Sequence, residues 1–350
     1  MKGFASDNIA TVHRDVLAAV TQANDGHASP YGDDPWTARA EQLLRAHFGE
    51  ASRPYLVFNG TAANVLCFRA MCRPWQSVIC SAAAHVNVDE GGAPERIAGV
   101  KLHALPTPDA KLTPELVATQ LGNEGFEHAV QPRVVSVTQT TELGTRYNLD
   151  ELAALSAFAH EHGMLLHVDG ARLANAAAGL DVPLRATATD AGVDALSFGG
   201  TKNGLMLGEA VVLLAPELAD GFEYLRKQTL QLASKSRFLA AQFIALLEGD
   251  LWLRNAAHAN AMAVRLADAI GGAPGVQITQ RVEANAIFAA IPPAATELLQ
   301  RDYYFYVWDA ATGEVRWMCS WDTTPDEVDD FAAAIRRACE ASVGPTAGRS

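Results

Sequence analysis

Ala195-Leu196-Ser197-Phe198-Gly199-Gly200-Thr201-Lys202-Asn203-Gly204 is a short apolar run that ends in glycines and sets a lysine among small residues. The run has the length of a buried strand, and glycines behind it let the backbone turn tightly while leaving room for a bulky ligand against the lysine. On either side lie similar β-rich runs at residues 55–58, 77–80, 133–138, 164–168 and 210–214, with helical patterns between them. Strands alternating with helices predict an α/β domain with a mostly parallel sheet. One of the intervening helices has both ends written out: it starts at Asn148 with Glu151 in capping-box register, turns Leu152, Leu155 and Phe158 inward, and stops at Gly163.

After about residue 231 the pattern changes to long helices at 237–247 and 253–270, then to strand-like runs near Val276 and at 286–290, 303–307 and 315–318. This predicts a smaller α+β domain, so the chain divides into a large domain at 1–240 with an N-terminal arm, a small domain at 241–342 and a flexible tail at 343–350. The last helix opens on Thr324-Pro325-Asp326-Glu327, a capping box with proline in the first turn. It aligns Val328, Phe331 and Ile335 and is expected to place Arg336 and Arg337 at the negative end of its dipole.

The 350 residues are 49% hydrophobic, which excludes disorder and leaves room for two domains. Forty acidic against 27 basic side chains give a net charge of -13, which would repel a phosphate backbone and excludes nucleic acid as a natural partner. No apolar run reaches the roughly 18 residues of a membrane span, and Asp7 interrupts the opening where a signal peptide needs apolar residues, so a cytoplasmic protein without membrane contact is expected. The five cysteines, Cys67, Cys72, Cys80, Cys319 and Cys339, contain no Cys-x-x-Cys pair and read as buried thiols.

Four elements carry chemistry. Only six of the 27 basic residues are lysines, and Lys202 sits in the glycine loop, where an amine can form a Schiff base; the plain alternative is a solvated loop lysine. Asp169 ends the strand Met164-Leu165-Leu166-His167-Val168, where a carboxylate points into the ligand crevice of an α/β sheet, although alone it reads equally as a helix cap. In Phe58-Asn59-Gly60-Thr61-Ala62-Ala63-Asn64 a strand passes into a helix, whose first amides with the Thr61 hydroxyl suit a phosphate or make an ordinary cap. His85 follows three alanines, which leave space for it to lie against a flat ring and exchange protons, or to serve structurally. The other nine histidines lack such a context and no His-x-x-x-His helix occurs, so no metal is assigned.

In chain order these elements resemble the fold-type I pyridoxal-phosphate enzymes and, more narrowly, the low-specificity L-threonine aldolases. The resemblance runs from Ala5-Ser6-Asp7-Asn8 through Pro30-Tyr31-Gly32-Asp33-Asp34 and His167-Val168-Asp169-Gly170-Ala171-Arg172 to Arg316-Trp317-Met318-Cys319-Ser320-Trp321-Asp322. It implies a fold-type I architecture, with a seven-stranded sheet and a smaller C-terminal α+β domain. It also implies retro-aldol cleavage of L-threonine, L-allo-threonine and related β-hydroxy-α-amino acids to glycine and an aldehyde. The cofactor would be pyridoxal 5′-phosphate, bound to Lys202, with Asp169 on its ring nitrogen and His85 stacked on the ring. Gly60 and Thr61 would hold the phosphate, Thr201 would bind the cofactor, and Ser6, Arg172 and Arg316 would hold the substrate carboxylate, Arg172 also lying beside the cofactor. Tyr31, toward the substrate, and Lys227, toward the phosphate, would be lent across the interface of a homodimer or homotetramer.

One stretch departs from the pattern. Many threonine aldolases carry a histidine after the strand that here continues into Gln139-Thr140-Thr141-Glu142-Leu143-Gly144. This leaves His85 as the candidate base for the β-hydroxyl proton, with Glu142 behind it, and resembles the phenylserine aldolase branch. Other reactions of the same fold, β-elimination and transamination, break a different bond on the same cofactor.

Overall fold

The computed structural model describes residues 2–343, so the expected tail at 343–350 lies outside the described residues but for its first position. The backbone parts into two units. The larger comprises Val12–Glu142 and Arg146–Leu253. The smaller comprises Leu143–Thr145 and the described residues of Met1–Thr11 and Arg254–Ser350. The expected boundary at 240/241 falls inside the helix Ser236–Leu247, and residues 2–11 group with the C-terminal unit.

The larger unit is built on seven strands: β1 (Arg53–Val57), β2 (Gln76–Ser81), β3 (Lys101–Leu105), β4 (Gln131–Thr138), β5 (Leu165–Gly170), β6 (Ala195–Gly199) and β7 (Glu209–Leu213). Their order is β1-β7-β6-β5-β4-β2-β3, and β7 alone runs antiparallel to its neighbours. Strands β1 to β6 therefore share one direction, and their carboxyl ends form one edge. That edge is where an open α/β sheet binds ligands. β3 is the strand the apolar runs did not reveal; it pairs with β2 only and lies half-exposed, so it carries little of the apolar signature of a central strand.

The central strands are almost wholly buried because helices cover them. Gly60–Met71 packs on β6 and β7, putting Leu66, Phe68 and Met71 into a core with Val57, Val78, Val134 and Val211. His167 of β5 is sealed within the sheet, with its ring nitrogens 2.9 Å from the Ser136 hydroxyl on β4 and 3.1 Å from the Ser197 hydroxyl on β6. Burial lowers its pKa to about 4, so it is a neutral strut. The capping box at Asn148 and Glu151 forms as expected and the helix ends before Gly163 at φ 66°. Phe158, expected inside, is only half-buried and leans on His162.

In the smaller unit the four-stranded sheet contains Tyr306–Asp309, Glu314–Met318, Ala286–Ala290 and Gln277–Ile278 in that order, all antiparallel. The single run expected at 303–307 is divided: Tyr303–Tyr304 instead pairs in parallel with Lys2–Gly3. This pairing draws in the N-terminal segment, whose Phe4 is buried and stacks on Phe331 at 4.2 Å. The last helix, Pro325–Val343, runs beyond Arg337, so the two arginines do not reach its C-terminal turn; Arg336 donates to the Ala269 carbonyl at 2.6 Å.

Candidate active site

Five of the residues singled out, or their immediate neighbours, lie at the carboxyl edge of the large sheet: Gly60 after β1, His85 after β2, Glu142 after β4, Asp169 in the end of β5 and Lys202 after β6. The lysine loop is pressed against the end of β5. A Cβ on Gly199 would lie 2.7 Å from Ala171 Cα, and one on Gly200 would lie 2.8 Å from the Gly208 carbonyl, so only glycine fits at either place. A short 3-10 turn, Thr201–Asn203, then presents Lys202 half-buried, and the loop closes by accepting the His13 N–H on the Gly204 carbonyl at 2.9 Å.

Asp169 is 5% exposed. One of its oxygens accepts the Ala171 N–H at 3.0 Å, capping the turn, and the other accepts from Asn64 Nδ2 at 2.8 Å. The residue is thus a buried carboxylate at the ligand edge that closes a turn onto Ala171; it does not cap the helix Leu173–Leu180, which starts after Arg172 without a side-chain cap. Asn64 Nδ2 also donates to Glu90 Oε1 at 2.8 Å, and Glu90 Oε1 lies 2.9 Å from His85 Nδ1. Asp169, Asn64, Glu90 and His85 therefore form one chain of hydrogen bonds. Within it the Glu90 side chain is fully enclosed while the His85 ring is 41% exposed. The bond to Glu90 raises the His85 pKa, reinforced by Asp169 and opposed by burial and by Lys202.

Glu142 stands behind the same histidine. Its Oε1 accepts the His85 backbone N–H at 2.8 Å and the Thr138 hydroxyl at 2.6 Å, and its Oε2 is buried without a hydrogen-bond partner. Burial raises its pKa, opposed by those two donors. Glu142 thus anchors the turn that carries His85. Asn64 ends the stretch 58–64 and Glu90 follows His85 by five residues, but neither had a role in the sequence reading; their only signal is position.

At the Gly60 helix, Asn59 Oδ1 accepts the Ala62 N–H at 2.9 Å. The amides of Gly60 and Thr61 precede that bond in the first turn, where a helix offers no carbonyl to receive them, and a Cβ on Gly60 would meet nothing within 4 Å. A helix start facing open space is an anion site. Thr201 accepts the Gly208 N–H at 3.1 Å. Arg172 precedes the helix Leu173–Leu180, immediately after Asp169-Gly170-Ala171. Tyr31 and Lys227, far apart in sequence, come together: the Lys227 amine lies 5.0 Å above the Tyr31 ring, and both side chains are exposed.

Ser6 and Arg316 belong to the smaller unit, where the structure also brings them close. Arg316 donates to the Ala5 carbonyl at 3.1 Å, and its guanidinium lies between the rings of Tyr306 and Trp308, 5.4 and 5.0 Å from their centres. The Ser6 hydroxyl accepts the Asn8 N–H at 3.2 Å, and Asn285 holds the neighbouring Asp7 at 3.0 Å.

A sequence profile of the β-eliminating lyases matches residues 3–292. The low-specificity L-threonine aldolase of Pseudomonas aeruginosa is 46% identical over 335 residues, 95% of this chain and 96% of that protein. The chain belongs to the threonine aldolase family. A second low-specificity L-threonine aldolase, from a Pseudomonas species, is 44% identical over 95% of this chain and 96% of its own length. Among solved structures, the threonine aldolase of Leishmania major superposes with a TM-score of 0.92 at 29% identity, over 97% of this chain and all of that one. The fold-type I architecture expected from the motifs is therefore the architecture of this threonine aldolase family member. Among its described residues no helix is long and apolar enough to cross a membrane.

Proposed function

We propose that this threonine aldolase cleaves L-threonine, L-allo-threonine and related β-hydroxy-α-amino acids to glycine and an aldehyde, using pyridoxal 5′-phosphate joined to Lys202. The observation that carries this reading is the pairing of a half-buried lysine in a glycine loop with a buried, hydrogen-bonded aspartate at the same sheet edge. The residues fit the cofactor. The helix start at Gly60 opens on free space for a phosphate, and Asp169 is enclosed as a partner for a ring nitrogen must be. Bound there, pyridoxal phosphate supplies a ring that takes up the electrons of the bond broken at Cα.

The remaining work falls to the chain. Gly60 and Thr61 would hold the phosphate, joined by Lys227, with Thr201 beside the cofactor, and Asp169 would keep a proton on the ring nitrogen. Arg172 in the larger unit, and Ser6 and Arg316 in the smaller, each have the chemistry to bind a substrate carboxylate, the guanidinium fork suiting two-point binding. Gripping the carboxylate orients the amino acid so that the Cα–Cβ bond is the one aligned to break. His85 covers the ring and accepts the β-hydroxyl proton on Nε2, because Nδ1 is committed to Glu90. As that proton leaves, the oxygen's electrons form the aldehyde carbonyl, the Cα–Cβ bond breaks, and a proton returned to Cα completes glycine. Glu142 holds the backbone of the base and does not replace it. Tyr31 and Lys227 serve a neighbouring subunit, which makes the enzyme a homo-oligomer.

Purified protein assayed with L-threonine, L-allo-threonine and phenylserine should release equal amounts of glycine and aldehyde. Borohydride should fix the cofactor's mass on the peptide containing Lys202. Label on Lys227 or Lys235, or keto-acid products without aldehyde, would overturn the reading.

A further inference from the structure

Glu209 opens β7 at the carboxyl edge, paired in register with Gly199 of β6 on one side and Val57 of β1 on the other. It therefore lies between the strand that leads into the lysine loop and the strand that leads into the Gly60 helix. Its side chain is buried, and Oε2 accepts the Gly200 N–H at 2.9 Å. The loop and the start of β7 are also joined by the Gly208 N–H to Thr201 hydroxyl bond. None of the roles above uses this carboxyl.

A carboxylate enclosed in this way is unfavourable unless donors and a cation face it. The charged groups that face Glu209 are Lys202, which favours its ionised form, and Asp169, which disfavours it; the Gly200 N–H and Thr201 hydroxyl also favour ionisation. Burial outweighs them and pushes Glu209 up to about 7. Asp169 is already engaged by Asn64 and the Ala171 amide, whereas Glu209 is bonded to the lysine loop itself, through the amide two residues before Lys202.

We propose that Glu209 is a positioning residue for Lys202: its carboxyl fixes the loop through Gly200, and its negative charge strengthens the hold of the Lys202 nitrogen on a proton. The inference rests on the reading that Lys202 carries the cofactor.

The test follows the absorbance of the lysine-bound cofactor in the holoenzyme from pH 5 to 10, with Glu209→Gln and Glu209→Asp beside wild type. Glutamine keeps an acceptor for the Gly200 N–H and removes the charge, so its spectral midpoint should fall by about one pH unit, a tenfold loss of proton affinity. Aspartate keeps the charge, and its midpoint should stay near that of wild type. An unchanged midpoint in the glutamine variant, or equal falls in both variants, overturns the proposal. If the glutamine variant retains no cofactor, acetylation of Lys202 by acetic anhydride at pH 8, where Glu209 is mostly ionised, read by mass on cofactor-free protein, decides. It should run about tenfold faster than in cofactor-free wild type, and an equal or slower rate overturns the proposal. A wild-type spectrum with no lysine-bound band would contradict the assignment of Lys202 instead, so the two failures are distinguishable.

Discussion

His85 has one ring nitrogen committed to a buried carboxylate, its backbone committed to a second, and the rest of its ring open. A base is useful only while unprotonated, and the bond to Glu90 is the main reason that its pKa is raised. Replacing Glu90 by glutamine removes the charge, so the His85 pKa should fall and the acid limb of the kcat profile for threonine cleavage should move to lower pH. The plateau should also drop, by less than the roughly 10²- to 10⁴-fold expected for loss of the base itself, since the imidazole remains. An acid limb that stays in place in the glutamine variant would show that a different group titrates in turnover. At this scale the sequence singled out Lys202, Asp169 and His85 by residue type among small residues, and the structure places all three at one sheet edge. The sequence was silent about Asn64 and Glu90, because their part depends on a contact 105 residues away, from Asn64 to Asp169, and on a turn that brings Glu90 back to His85.

Elements were legible where the local signal and the packing agree. The capped helix Leu149–Glu161 and the buried strands β5 and β6 are examples, each with ends marked by glycine or a cap and with a continuous apolar face. The edge strand β3 and the two-way use of residues 303–309 were not, since the partner of a short strand is chosen by long-range pairing. The N-terminal strand shows the consequence. Phe4 donates its N–H to the Tyr304 carbonyl and accepts the Met318 N–H on its own carbonyl, both at 2.8 Å, while its ring fills the core against Phe331. Phe4→Ala should therefore destabilise the smaller unit by about 3–5 kcal/mol in denaturant unfolding. Because Ser6 and the Ala5 carbonyl follow directly, it should also raise KM for threonine more than it lowers kcat. A loss of stability under about 1 kcal/mol would mean that the segment is held by its backbone pairing alone.

In the whole molecule, some site groups belong together within one chain and others stand apart from them. Lys202, Asp169 and His85 are joined within the larger unit through named hydrogen bonds and charge, whereas Tyr31 and Lys227 lie together with both side chains in solvent. If that pair serves a neighbouring subunit, Lys202→Ala and Lys227→Ala proteins, each inactive alone, should complement on unfolding and refolding together. Random dimers would then regain about a quarter of wild-type activity, since half are hybrids and each hybrid has one intact site. No recovery, with hybrids demonstrated by mass, would place Lys227 in its own subunit's chemistry.

The alternation of strands and helices, the glycine loop around Lys202 and the helix caps follow from the amino-acid sequence alone. Each of these is set by neighbours in the chain, through backbone freedom, capping and side-chain period. Only the tertiary structure decided that the N-terminal segment joins the C-terminal unit, that Glu90 and Glu142 hold one histidine from two sides, and that Glu209 sits beneath the lysine loop. The carboxyl groups of Glu142 and Glu209 are buried and take their partners from the ends of other strands, Glu90 takes Asn64 from a helix, and the N-terminal segment is drawn in by the burial of Phe4; the need to satisfy or enclose such groups, invisible in local pattern, makes the choice.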